Sequence, residues 1–373
     1  GGCDPFQSCG TSTFPGHRFY FSAEKDGHQK TSRVATFDIR KGQGVYYYDP
    51  YDVPNDPKRT RRNLEGLSYA DYEKYERLHR SRLFNDKYRR ATGRDYLAVY
   101  ARERPSHHMW RADYIGQEHW ATTRETHFVA MPPERELGNI LVHGKARALS
   151  EDQPRLLAEY RTPAPLLNMT MTTLSCRPRA FEIQNFLSPI EVRHIIALAT
   201  TMNLAASQTG EGSSKSDIRK IRTSRNTWVG REESPIIDAV YRRAADLMRI
   251  DEALFRYRGD GEYKELGTDR SIAEKLQLVH YDVGQEYTPH HDFGYSAQQD
   301  PRQPARFATL LLYLNEVPGG GETSFPRWKN AETSNALKVT PEVGKAVLFY
   351  SQLPDGNMDD LSQHAAVPVA EGE

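Results

Sequence analysis

Three apolar runs close to the C-terminal end, residues 276–281 (LQLVHY), 307–314 (FATLLLYL) and 345–350 (KAVLFY), carry no helical periodicity between them. They are divided by Gly and Pro turns such as Pro318-Gly319-Gly320-Gly321 and Pro341-Glu342-Val343-Gly344. Strands that follow one another without crossover helices form an antiparallel sheet, because a parallel pair needs a long return connection. Two amphipathic helices come first. One, over residues 189–199, has Ser188 at its N-cap and Pro189 in its first turn. The other, over 234–248, has Ser234 as cap, Pro235 in its first turn, and Ile236, Ile237, Val240, Ala244 and Leu247 along one face. Helices followed by uninterrupted strands specify an α+β arrangement, a sandwich or open barrel on which both helices pack.

The 373 residues suffice for two domains. With 50 basic and 50 acidic side chains the formal charge is zero, so no single-sign field favours a phosphate backbone or an anionic membrane, and nucleic acid is excluded as the expected partner. A mean hydropathy of −0.74 is polar for a globular chain, but an aromatic content of 10% separates it from disordered sequences. No run of 18 apolar residues occurs. The first residue is Gly rather than Met, so membrane attachment is expected only through an N-terminal segment absent from this sequence. Cys3, Cys9 and Cys176 are too few and too scattered for a cysteine zinc module; Cys3 and Cys9 suit either a small disulfide in an oxidising compartment or two free thiols near a chain end.

The N-terminal region alternates aromatic and β-branched residues in Arg18-Phe19-Tyr20-Phe21, Val34-Ala35-Thr36-Phe37 and Val45-Tyr46-Tyr47-Tyr48, which predicts strands. From about residue 50 the composition shifts to Asp, Arg, Lys and Tyr. Residues 68–90 read as an amphipathic helix with Tyr69, Tyr72, Tyr75 and Leu78 on one face and interleaved charges forming a solvated one. Arg161-Thr162-Pro163-Ala164-Pro165 blocks a helix and removes ladder donors, which predicts a linker or domain edge within 161–175. The expected organisation is a partial β-domain over 1–50, a polar, partly helical linking region over 51–173, and a catalytic domain over 174–373.

Chemistry concentrates in Tyr281-Asp282-Val283-Gly284-Gln285-Glu286-Tyr287-Thr288-Pro289-His290-His291-Asp292-Phe293. Side chains at i and i+2 of a strand share a face, so His290 and Asp292 can converge on one metal while His291 faces away. A third ligand must come from elsewhere, and His364 follows a strand and a loop, 354–360, rich in Pro, Asp and Gly. Two His and one carboxylate on one face of an octahedral ion leave three open positions, the pattern of non-haem Fe(II) oxygenases.

Read together, the segments resemble the prolyl 4-hydroxylase family of Fe(II)/2-oxoglutarate dioxygenases over roughly residues 174–373. The resemblance is carried by Pro178-Arg179-Ala180-Phe181, Asn185-Phe186-Leu187-Ser188, Ile221-Arg222-Thr223-Ser224, and the run from Leu276 to Asp292. It continues through Arg306 to Leu314, Gly320-Gly321-Glu322-Thr323-Ser324-Phe325-Pro326 and Leu361-Ser362-Gln363-His364. It implies a double-stranded β-helix, a jelly roll with supporting helices, preceded here by a small, partly β N-terminal region. It implies His290, Asp292 and His364 as iron ligands and catalytic centre, and Tyr281 and Thr323 as partners of 2-oxoglutarate. Arg222, Ser224, Glu274, Tyr287 and Arg306 fall at positions lining a peptide groove. The implied reaction is hydroxylation of peptidyl proline to 4-hydroxyproline with Fe(II), 2-oxoglutarate, O2 and ascorbate, releasing succinate and CO2. The implied partner is a proline-rich peptide or protein, already ordered as a polyproline II strand. The implied place is the endoplasmic reticulum or secretory pathway. A dioxygenase with another substrate and a non-catalytic peptide-binding module on the same fold are the competing readings.

Two further expectations follow. In the family a basic residue about ten positions after the last iron ligand pairs with the far carboxylate of 2-oxoglutarate. Here Ala365 to Glu373 stop short of that position and Lys345 lies on another strand, so the sequence is expected to be part of a longer chain that, as written, binds iron better than it turns over. Phe14-Pro15-Gly16-His17-Arg18-Phe19-Tyr20-Phe21 resembles a strand of a von Hippel-Lindau-type β-domain, which implies a protein-binding role for the N-terminal region.

Overall fold

In the computed structural model the aromatic alternation near the N-terminus forms a hairpin: β1 (Arg18–Lys25) pairs antiparallel with β2 (His28–Asp38), with Phe19 opposite Phe37. The structure describes residues 5–6, 13–25, 28–93, 95, 105–132, 158–202, 204–207, 222–255, 271–293, 306–328, 335–354, 356 and 358–372. Cys3 and Cys9 lie outside them, and so does the question of their pairing. The chain divides into two compact units. One comprises Gly1–Arg104 with Phe293–Ala305 and Gln352–Asp360; the other comprises Pro105–Asp292, Arg306–Ser351 and Leu361–Glu373.

In the first unit the hairpin precedes two helices, α1 (Pro57–Glu65) and α2 (Tyr69–Thr92). Ser68 caps α2, its hydroxyl accepting from Asp71 N, and Gly93 ends the helix in the left-handed conformation. The expected strand at Val45-Tyr46-Tyr47-Tyr48 is not formed. Tyr46 OH accepts from Arg40 N at 2.7 Å, Tyr47 OH accepts from Asn85 Nδ2 at 2.9 Å, and the Tyr48 ring meets Phe21. Three consecutive side chains serve partners on different elements, which the two-sided alternation of a strand does not allow. The face of α2 also differs from expectation. Tyr69 is 78% exposed, while Tyr75, Ser81 and Asn85 are buried. The helix packs through its polar positions because hydroxyl and amide groups there find partners.

The second unit opens with β3 (Glu118–Thr123), β4 (Leu167–Cys176) and β5 (Arg179–Ile183). Helix α3 (Pro189–Thr201), β6 (Ala205–Ala206), β7 (Arg225–Val229) and helix α4 (Pro235–Met248) follow. Beyond α4 come β8 (Leu276–His280), β9 (Tyr287–His290), β10 (Ala308–Leu312) and β11 (Gly319–Gly320). The last strands are β12 (Thr323–Phe325), β13 (Leu337–Val339), β14 (Ala346–Tyr350), β15 (His364–Ala366) and β16 (Val369–Glu371). They form a five-stranded sheet in the order β10-β14-β5-β4-β3, a four-stranded sheet β13-β12-β15-β9, a three-stranded sheet β6-β7-β8 and the pair β11-β16. Every ladder is antiparallel, as strands without crossover helices require. Strand β4 occupies the stretch expected as a linker. The two prolines end just before it, where they cost no ladder bond.

β14 shows how one short sequence holds two layers together. Ala346, Leu348 and Tyr350 join Phe181, Ile183, Ile237, Val240 and Leu247 in one core, and Val347 and Phe349 join Tyr313, Phe325 and Val339 in another. A strand covered on both faces reads as a continuous apolar run, which is the pattern of Ala346-Val347-Leu348-Phe349-Tyr350. The preceding turn needs Gly344: its φ is +80°, and a Cβ there would collide with Leu187 O, the carbonyl of the residue whose amide bonds Gly344 O.

Both capped helices form as expected, with one addition that apolar periodicity hides. Arg243, on α4, is fully buried and donates to both oxygens of Glu191, also fully buried, at 2.8 and 2.9 Å. Its remaining donors reach the carbonyls of Glu125, Thr126 and Phe186. Glu191 completes the capping box of α3 by accepting from Ser188 N, and it accepts from Phe128 N as well. Burial pushes the Glu191 carboxyl up, but the Arg243 guanidinium and these amides outweigh it and hold the pKa below the ordinary carboxylate value. Ala244, expected on the buried face of α4, is only partly covered. No helix among the described residues is long and apolar enough to cross a membrane.

Candidate metal centre

Adjacent strands bring two imidazoles together: in the β9–β15 ladder His290 stands directly opposite His364. Each ring is turned by its own backbone. His290 Nδ1 donates to Thr288 O at 2.9 Å and His364 Nδ1 to Ser362 O at 3.1 Å, so both Nε2 atoms are left as acceptors. β9 stops at His290, and strand alternation does not carry Asp292 to the cluster. A bend does, and the carboxylate is held there by Thr309 Oγ1, which donates at 2.5 Å, and by Arg306 at 3.5 Å. His290 Nε2 and His364 Nε2 lie 3.9 and 3.7 Å from Asp292 Oδ1. The three donor atoms all fall within 4.8 Å of one another.

Aromatic rings line one side of this cluster. Phe349 and Phe325, both buried, place their rings 4.7 and 6.1 Å from that of His364. Burial, then the neighbouring His364, pushes His290 down to about 3, so its imidazole stays neutral and its Nε2 lone pair available across the physiological range. Asp292 is raised by burial but lowered by more through His364, Thr309 and Arg306, and is ionised. A neutral His290 imidazole and an ionised Asp292 carboxylate are the protonation states in which these groups bind a cation.

Three of the residues expected along a peptide groove adjoin the cluster. The Tyr287 ring stacks on His290 with centroids 3.4 Å apart, and the Arg222 guanidinium covers Tyr287 at 4.6 Å. Arg306 spans Asp292 and Glu274, to which it donates at 2.6 and 2.9 Å. Ser224 is buried, accepts from Arg222 Nε at 3.1 Å, and is hydrogen-bonded to Tyr281. Thr323, on β12, lies in a different group: its hydroxyl accepts from Tyr313 OH at 2.8 Å. Burial raises the Tyr281 phenol and pushes Tyr313 up to about 12, so both stay protonated donors. Lys345 is buried on Glu342, which its Nζ reaches at 2.6 Å.

Residues 276–373 match the model of the 2OG-Fe(II) oxygenase superfamily. Among curated proteins the chain is similar to probable prolyl 4-hydroxylase 3 of Arabidopsis thaliana, 33% identical over 211 residues that cover 53% of this chain and 67% of that one. It is likewise similar to probable prolyl 4-hydroxylase 8 of the same plant, 31% identical and covering 54% and 68%. The chain belongs to the prolyl 4-hydroxylase family. Among solved structures it matches the viral collagen prolyl hydroxylase of Paramecium Bursaria Chlorella virus-1 in complex with 2OG, with 26% identity over 52% of this chain and 90% of that one and a TM-score of 0.37.

For a member of this family the antiparallel sheets of the second unit are those of a double-stranded β-helix, with α3 and α4 packed in its core. Membership implies Fe(II), 2-oxoglutarate and O2 as reagents. The His-Asp-His cluster fits a divalent cation: two acceptor nitrogens and one carboxylate converge, and the histidine tautomers are set by backbone carbonyls. Thr309 and Tyr313, which support Asp292 and Thr323, were not distinguishable in sequence. Both sit in the apolar run 307–314, where a single polar residue reads as ordinary strand alternation.

Proposed function

We propose that this prolyl 4-hydroxylase relative converts peptidyl proline to 4-hydroxyproline, consuming 2-oxoglutarate and O2 and releasing succinate and CO2. The single observation that carries the reading is the half-buried His290–Asp292–His364 cluster flanked by the Arg222–Tyr287 stack and the Arg306–Glu274 pair. In this reading His290 Nε2, His364 Nε2 and the Asp292 carboxylate hold Fe(II). Bound there with 2-oxoglutarate, the metal supplies the oxidising power that replaces a carbon–hydrogen bond of proline by carbon–hydroxyl. The chain's own residues do the rest. Tyr281 and Thr323 hydrogen-bond the co-substrate. Tyr287 and Arg222 present flat faces on which a proline ring packs, and Arg306 and Glu274 bond the carbonyls and amides of an extended peptide, with Ser224 holding Arg222 in place. Phe325 and Phe349 keep water from the reacting atoms.

Ascorbate is the reductant proposed to restore the metal after uncoupled turnover, and the secretory pathway the proposed place of action, where proline-rich chains pass. The domain boundaries expected from sequence stand as part of the same proposal.

Mass spectrometry of a proline-rich peptide incubated with the protein, Fe(II), ascorbate, 2-oxoglutarate and O2 tests this. The expected product carries one added oxygen on proline. Oxygen found instead on Lys or Asn would replace the substrate assignment, and 2-oxoglutarate consumption unmoved by a proline-rich peptide would sink the substrate claim. His290→Ala should abolish both product and Fe(II) binding; retained Fe(II) binding would refute the ligand set.

A further inference from the structure

Two short segments of the first unit are covalently continuous with the metal-binding cluster. Phe293 follows Asp292 directly, and Gln352–Asp360 ends four residues before His364. Both contribute to one apolar cluster on which two side chains of α2 pack. Phe293, 1% exposed, and Met358, 2% exposed, form a small apolar cluster against which Phe84, Tyr88 and Leu353 pack. Phe84 and Tyr88 stand one helical turn apart with their rings stacked, 6.2 Å between centroids, so one stripe of α2 covers both segments. Tyr88 OH also donates to the Asp360 carboxylate, and Asp360 is 1% exposed.

Asp360 opens the 3₁₀ turn Asp360–Ser362, and Ser362 O is the acceptor that turns the His364 ring. A continuous path therefore runs from a phenol on α2, through a buried carboxylate and a single tight turn, to the hydrogen bond that sets the His364 tautomer. On the other side the Phe293 ring anchors the chain immediately after Asp292, at the bend where strand alternation no longer directs that carboxylate.

We propose that α2 is a positioning element of the metal centre, with Tyr88 acting through Asp360 on His364 and Phe84 acting through Phe293 on Asp292. The proposal rests on the reading of His290, Asp292 and His364 as metal ligands. Neither Tyr88 nor Phe84 touches the metal. They reduce the number of conformations open to the two loops, so that the donor atoms are in place before the cation arrives, and outer residues of this kind alter metal affinity by about 10–100-fold. The polar and charged composition of the region before residue 174 hides this role, because the two aromatic residues that matter look like any others on a Tyr-rich helix.

The test uses Co(II), whose visible absorption reports coordination geometry, titrated anaerobically into the intact protein. Tyr88→Phe removes one hydroxyl and is expected to weaken Co(II) binding about tenfold and shift the absorption bands; Phe84→Leu, which keeps apolar volume but not the ring stack, should do so less. Arg80→Ala, on the exposed side of the same helix, should change neither. Hydrogen exchange of β5 and β14 should stay as in the parent in all three. Combining Tyr88→Phe with Asp360→Asn should cost no more affinity than the worse single variant. His364→Ala separates the two layers of the inference. If it binds Co(II) like the parent, the ligand reading itself fails. If it loses Co(II) while Tyr88→Phe and Phe84→Leu bind normally, the ligand reading stands and the positioning role is refuted. Weaker Co(II) binding accompanied by faster exchange in β5 and β14 would likewise overturn it, as a general loss of structure.

Discussion

The two units of the chain bury polar groups in different ways. In the second, apolar side chains fill both faces of β14, and the charge that is buried, Glu191 with Arg243, is paired on both carboxylate oxygens and on backbone groups besides. In the first, α2 buries a tyrosine, a serine and an asparagine, and is held to its neighbours by individual polar contacts such as Asn85 to Tyr47, Tyr88 to Asp360 and Arg82 to Asp49. A strand between two apolar layers is secured by many small contacts, whereas a helix packed through hydroxyls and amides depends on each partner being present. The first arrangement suits a scaffold whose ladder fixes the two histidines of the candidate metal centre. The second suits segments whose placement is set by a few specific contacts.

The largest expected effect tests the buried pair. Arg243→Met leaves Glu191 charged and unpaired in the interior and should destabilise the second unit by about 3–5 kcal/mol. Peptide-resolved hydrogen exchange should show this in α3, α4 and β5, and should leave α1 and α2 unchanged; equal loss in both units would erase the distinction between them. Acid should act through the same pair. The folded-state pKa of Glu191 lies below its unfolded value, so its stabilisation is complete above about pH 4.3 and disappears as pH falls through the folded value. Unfolding of the second unit should therefore accelerate on acidification, and Glu191→Gln should flatten that dependence while lowering stability at neutral pH.

A smaller effect sharpens the other side. Asn85→Ala deprives the half-buried Tyr47 hydroxyl of its donor and should cost about 1–2 kcal/mol, read as faster exchange confined to α2. The smallest belongs to the surface: Arg80 and Glu76 pair at i and i+4 on α2 at 2.7 Å, and with Arg80 72% exposed Glu76→Ala should change stability by no more than about 0.5 kcal/mol. A larger loss there would mean that α2 draws stability from its charges after all.

The same contrast explains which parts of the molecule were legible in sequence. The capped helices and the strand runs of the second unit formed where periodicity and turn residues put them, since each must bury an apolar face and the spacing records it. On α2 the aromatic spacing was right for Tyr75 but not for Tyr69 and Tyr72, and it missed Asn85, which is buried on a partner distant in sequence, because no local pattern marks a polar residue that will be satisfied elsewhere. At the candidate site, motif spacing singled out His290, Asp292 and His364. The groups that hold Asp292 and Thr323 in place, Thr309 and Tyr313, are single polar residues in an aliphatic strand, and only the fold reveals what faces them.

Local chemistry in the sequence was enough to determine that this chain is an α+β protein with antiparallel strands and two capped helices, and that its histidines and aspartate carry the pattern of an iron oxygenase. That follows from side-chain periodicity, capping and turn preference, all of which act within a few residues. Tertiary structure alone decided that Asp292 reaches the cluster by a bend rather than along a strand, that Arg243 is consumed by Glu191, and that α2 packs on the chain beside Asp292. Such facts depend on which groups meet after folding, and a buried hydroxyl or charge is tolerated only where a partner from a remote segment satisfies it.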